Sequence, residues 1–125
     1  MSQTQEQTRS LPIRVDKPWG NETIFAWTER YVGKILFIRA GQSLSLQYHR
    51  QKDETIYVSG GKMEFEVDEG EGLVTRTLNP GDSYHIRPEV RHRMRAAEDC
   101  TVFEVSTPEL DDVVRLQDLY GRVGK

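Results

Sequence analysis

From Leu11 onward the chain runs in short apolar or alternating stretches, broken by Gly, Pro, Asn and Asp. Nine of them, at 23–27, 31–39, 44–49, 55–59, 63–67, 74–78, 83–86, 91–95 and 101–106, have the length and punctuation of β-strands, and nine short strands in succession predict an all-β closed sandwich or barrel. The alternation is cleanest at Met63-Glu64-Phe65-Glu66-Val67-Asp68. A period of two puts three apolar side chains on one face and three acids on the other, whereas a helix would spread the acids around its circumference. Arg91, Arg93 and Arg95 alternate with His92 and Met94 in the same way. With His92 turned inward they form a solvated or subunit-bridging outer face. Only one stretch has helical spacing. Thr107-Pro108 supplies an N-cap and a first-turn proline, and Val113, Leu116 and Tyr120 follow at i, i+3 and i+7 before Gly121, which predicts a short C-terminal helix or turn against the barrel.

The chain has 125 residues, the size of one domain, and residues 11–125 are read as that domain. Residues 1–10 hold three Gln, two Ser and two Thr and predict a flexible N-terminal arm. Lys and Arg number 17 against 20 Asp and Glu, a net charge of -3. That is the wrong sign for a chain held to nucleic acid through phosphates. The longest apolar stretch, 35–38, is far too short for a membrane span. Cys100 is the lone cysteine and no secretory signal opens the chain, so the expected location is the cytoplasm. The lean core and an uncovered sheet edge predict a homodimer.

Gln47 and His49 lie two apart in a predicted strand, so their side chains share a face and can converge on one ion. Glu54 follows His49 by five, which turns it to the opposite face unless the polar run 50–53 is a turn that resets the register. His92 can close the set. Gln, His, Glu and His make a mixed nitrogen and oxygen site for one divalent metal, with zinc first and manganese, iron or nickel as alternatives. Gly70-Glu71-Gly72 starts like a dinucleotide fingerprint but lacks its third glycine and sits between strands, which makes it a hairpin turn.

The glycines around these residues add a pattern. Gly41-x5-Gln47-x-His49-x4-Glu54-x6-Gly61 resembles the first cupin motif, and Gly81-Asp82-x4-Arg87-x-Glu89-x2-His92 the second. In that family the first motif has His at the position of Gln47, and the second has Pro and Gly at the positions of Arg87 and Glu89. Lys17-Pro18-Trp19-Gly20, the 44–49 segment Leu-Ser-Leu-Gln-Tyr-His and the 111–122 segment together resemble landmarks of the cupin domain in type II mannose-6-phosphate isomerases. The resemblance implies a jelly-roll barrel with its ligands inside, a metal held by Gln47, His49, Glu54 and His92, and a sugar phosphate as the small-molecule partner. It also implies Lys17, Trp19, Lys34 and Arg122 as substrate-binding candidates. The implied reaction is a metal-dependent interconversion of aldose and ketose phosphates. The alternatives are a non-catalytic module that binds a metal and a sugar or other small ligand, and a metal-dependent oxygenase. The reaction needs a general base; the sequence singles out none, and leaves the direction of His85 open.

Overall fold

A computed structural model describes residues 10–123. Eleven strands follow in chain order: β1 Ile13–Lys17, β2 Gly20–Trp27, β3 Val32–Ile38, β4 Leu46–Tyr48, β5 Glu54–Gly60, β6 Met63–Asp68, β7 Leu73–Leu78, β8 Ser83–Ile86, β9 His92–Ala96, β10 Cys100–Ser106 and β11 Val114–Gln117. They form two antiparallel sheets, one ordered β1-β2-β3-β10-β5-β8 and the other β11-β4-β9-β6-β7. Strands β2 to β10 match the nine predicted stretches. The predicted arm lies outside the described residues apart from Ser10. No helix among the described residues is long and apolar enough to cross a membrane.

The apolar faces of the two sheets meet in one core that includes Leu36, Ile38, Ile56, Val58, Met63, Phe65, Val67, Ile86, Met94 and Val102. Each such side chain contributes about 1.5–3 kcal/mol by leaving water. In β6 the alternation is complete: Met63, Phe65 and Val67 are buried and the acids between them half-buried. Those acids face the arginines of the 91–95 run. Glu66 accepts from Arg93 at 2.5 Å, Asp68 accepts from Arg91 at 2.7 Å, and Glu64 stands directly opposite Arg95. The arginine-rich face is therefore neutralised within the chain, which leaves it little charge for bridging subunits. The Gly70-Glu71-Gly72 stretch links β6 to β7, with Asp68 accepting from the Gly70 N–H.

The C-terminal helix does not form. Residues 114–117 add strand β11 to the open edge of β4, with Val114 opposite Tyr48 and Arg115 opposite Gln47. Turns precede and follow that strand. An isolated helix this short is marginal in water, and the ladder on β4 satisfies the backbone of Val-Arg-Leu-Gln, whose own alternation suits a strand. The result matters for the site, because this segment becomes one wall of the internal cavity.

Candidate metal centre

Three predicted ligands converge. His92 opens β9 between β4 and β6, opposite Gln47 on one side and Val67 on the other. His49 lies one residue past β4, and Glu54 is the first residue of β5. Between them residues 50–53 turn the chain, as the five-residue spacing requires, and move Glu54 from one sheet to the other. The ligand atoms of His49, Glu54 and His92 lie within 4.8 Å of one another, and all three residues are buried. His49 Nε2 is 3.1 Å and His92 Nε2 3.2 Å from the same atom, Glu54 Oε2.

The other ring nitrogens set the tautomers. His49 Nδ1 lies 2.6 Å from the Asp112 carbonyl oxygen and His92 Nδ1 2.9 Å from that of Val90. A carbonyl only accepts, so each Nδ1 carries a proton and donates it, and each Nε2 is turned toward the Glu54 carboxylate. His92 Nε2 is moreover a buried atom without a hydrogen-bond partner, since its approach to Glu54 is off-angle. Two imidazole nitrogens and a carboxylate oxygen within 4.8 Å of one another in a buried cluster are donors that suit a divalent transition metal. Burial alone would raise the Glu54 carboxyl, but the imidazoles of His49 and His92 and the ammonium of Lys52 outweigh it and hold the group well below the usual carboxylate range. Gln47 lines the cavity beside His49, its Oε1 accepting from Ser45 Oγ at 2.5 Å.

Asp112 anchors the turn that carries the ligands. Besides its main-chain contact to His49, its carboxylate accepts from the N–H groups of Arg50, Gln51 and Lys52 at 3.0, 2.7 and 2.9 Å. The 111–122 segment is thus tied directly to the candidate ligands. Asp112→Ala releases the turn and is expected to weaken metal binding by about 10-fold or more, read by competition with a chelator. The loop before His92 is tied to the same turn: Glu89 donates its N–H to the His49 carbonyl at 2.6 Å. Glu89 has φ 69°, the left-handed region, which explains why the family pattern has glycine at this position.

All four substrate candidates line the same cavity, whose free volume is about 100 Å³. Lys34 Nζ lies 3.4 Å from Glu22 Oε2, and Arg122 is held by a two-point contact to Asp118 at 2.8 and 2.9 Å. Trp19 is buried in the core and contributes to the cavity wall. His85 is elsewhere: it is exposed on β8 and pairs with Asp53 at 2.7 Å.

Sequence reasoning missed a buried triad in this cavity. Lys52 Nζ lies 3.3 Å from Glu54 Oε1 and donates to Glu104 Oε2 at 3.0 Å. Burial disfavours the Lys52 ammonium, yet Glu104 and Glu54 outweigh it and raise its pKa. The Glu104 carboxyl is pushed up, first by burial and then by the charge of Glu54, with Lys52 and Lys34 only partly offsetting this. Arg115 also lines the cavity.

Comparison with known proteins agrees with this geometry. The family described as Cupin domain matches residues 35–106. The xanthan biosynthesis protein XanB of Xanthomonas campestris is 32% identical over 114 residues, covering 87% of this chain and 24% of that protein. The mannose-1-phosphate guanylyltransferase ManC of Salmonella typhimurium is 32% identical over 114 residues, covering 87% of this chain and 23% of that protein. Among solved structures, KdgF from Halomonas sp. superposes with a TM-score of 0.70 at 28% identity, over 82% of this chain and 97% of that one. The chain thus spans about a quarter of the length of the two curated relatives, in keeping with the resemblance to the cupin domain of type II mannose-6-phosphate isomerases.

Proposed function

The chain belongs to the cupin family, and we propose that it binds one divalent metal, zinc first, through Gln47, His49, Glu54 and His92 and interconverts an aldose phosphate and a ketose phosphate of the mannose 6-phosphate type. The observation that carries this reading is one cavity with two kinds of lining. His49 and Glu54 stand there beside Lys17, Lys34, Lys52, Arg115 and Arg122. Imidazoles and a carboxylate suit a metal, and the cations suit a phosphate.

When bound, the metal supplies Lewis-acid polarisation of a carbonyl oxygen. The chain's own groups supply the rest. Lys17 and Arg122 bind the phosphate, with Arg122 held in place by Asp118. Glu104 answers the need for a general base. Burial raises its carboxyl above the ordinary glutamate range, its Oε2 is engaged by Lys52, and it lines the cavity to take a proton from C2 and return it to C1. Lys52 holds Glu54 and Glu104 apart and keeps the charge between them balanced.

The test is conversion of mannose 6-phosphate to fructose 6-phosphate by metal-loaded protein. Glu104→Gln keeps the shape of the side chain and an acceptor for Lys52 but cannot take a proton. It is expected to lower kcat by about 10²–10⁴-fold with metal content unchanged. Full turnover in this variant would remove Glu104 from the role.

A further inference from the structure

The two sheets differ in the faces they turn outward. On the five-stranded sheet the outer face is a lattice of opposite charges, Glu64, Glu66 and Asp68 against Arg91, Arg93 and Arg95, as suits a surface in water. On the six-stranded sheet the outward positions of the four central strands carry no charge. Phe103 on β10 lies opposite Ile35 of β3 and Tyr57 of β5, and Val105 opposite Gly33 and Thr55. Thr23 lies opposite Ile35, and Thr101 opposite Phe37. The rings of Tyr57 and Phe103 meet at 64°. Phe25 lies over Gly33, where a Cβ would come within 2.6 Å of its ring, so the glycine keeps the aromatic surface continuous. Charge returns at the margin, with Arg14 and Asp16 paired on the edge strand β1 and His85 and Asp53 paired beside β8. An uncharged aromatic centre with a polar rim has the composition of a protein interface.

We infer that this face is where two copies of the chain pair. Phe25, Tyr31, Tyr57, Phe103 and Val105 are 41–55% exposed. With about 150–250 Å² for each aromatic ring, these five alone leave about 450 Å² of mostly apolar surface in water. That is over half of the roughly 800 Å² per partner that a stable pair buries, before the half-buried Ile35 and Phe37 are counted. A patch of this size falls among the largest that monomers leave uncovered, about 300–600 Å², which are often functional. A second copy brings an equal area of the same character, as a two-fold contact requires.

The experiment is sedimentation of the full chain at micromolar concentration. The wild type is expected at twice 14.5 kDa. Phe103→Arg with Tyr57→Arg is expected to sediment as a single chain with its metal content retained, while Thr75→Arg on the charged sheet leaves the pair intact. A wild type of one-chain mass overturns the proposal, and so does a pair that survives both arginines. Should the double variant not fold, a spin label on Ser59→Cys in the otherwise native chain decides. Stronger dipolar coupling there than from Thr75→Cys supports this face, and equal or weaker coupling overturns it.

Discussion

Purified protein supplied with zinc is expected to hold about one ion per chain, and His49→Ala with His92→Ala is expected to lose essentially all of it. Each imidazole gives the centre an Nε2 that nothing in the chain can replace. The carbonyls of Asp112 and Val90 fix both rings in the ligating tautomer, so little has to reorganise on binding. Removal of one nitrogen leaves a carboxylate and a single imidazole, a poorer set for a divalent ion, and removal of both leaves Glu54 with Gln47. Elemental analysis of wild type and double variant prepared side by side checks this. Full retention of metal by the variant would mean that the ion sits elsewhere. The same variant is expected to lose the increase in Tm that metal gives the wild type, because stabilisation by a bound ion follows its affinity.

Lys52→Met is expected to destabilise the fold by about 3–5 kcal/mol, more than loss of any single surface charge. Lys52 is 5% exposed and lies between two buried carboxylates, Glu54 and Glu104. Without the ammonium those carboxylates keep the cost of burial and lose the charge that compensates it. Urea unfolding of both proteins measures the difference. The effect has a pH signature that separates it from a packing defect. Because the Glu104 carboxyl is raised in the folded state, its own contribution to stability is fully present below the usual glutamate range and is lost as pH rises through the raised value. Removal of Lys52 steepens that fall. Glu104→Gln, which cannot ionise, removes the contribution of Glu104 to it.

The convergence of the candidate ligands was legible because they sit where period and spacing are unambiguous. Gln47 and His49 share a strand parity, Glu54 follows a polar run that can only be a turn, and His92 stands among alternating arginines. The rest was hidden by real ambiguity. In β10 both parities are largely apolar: Cys100, Val102, Glu104 and Ser106 are buried, whereas Phe103 and Val105 are exposed. Hydrophobicity favours the wrong face, so neither Glu104 in the cavity nor the aromatic outer surface was legible. Ile13-Arg14-Val15-Asp16-Lys17 alternates as a strand should, but five residues with three charges give a weak signal for β1. Strand β11 was masked by a competing helical period. The open edge of β4, which decides the matter, exists only in three dimensions.

Interconversion of an aldose and a ketose phosphate must break the bond between C2 and its hydrogen, and a protein that only binds the sugar leaves that bond intact. Metal-loaded protein is therefore given mannose 6-phosphate in heavy water, and deuterium at C2 is followed by NMR together with the appearance of fructose 6-phosphate. The account predicts exchange or product with the wild type, neither after the metal is stripped, and at least about a hundredfold less with Glu104→Gln. Binding of mannose 6-phosphate, seen as a rise in Tm, with no exchange and no product in any metal form would contradict the isomerase and leave a module that holds a metal and a sugar without transforming it.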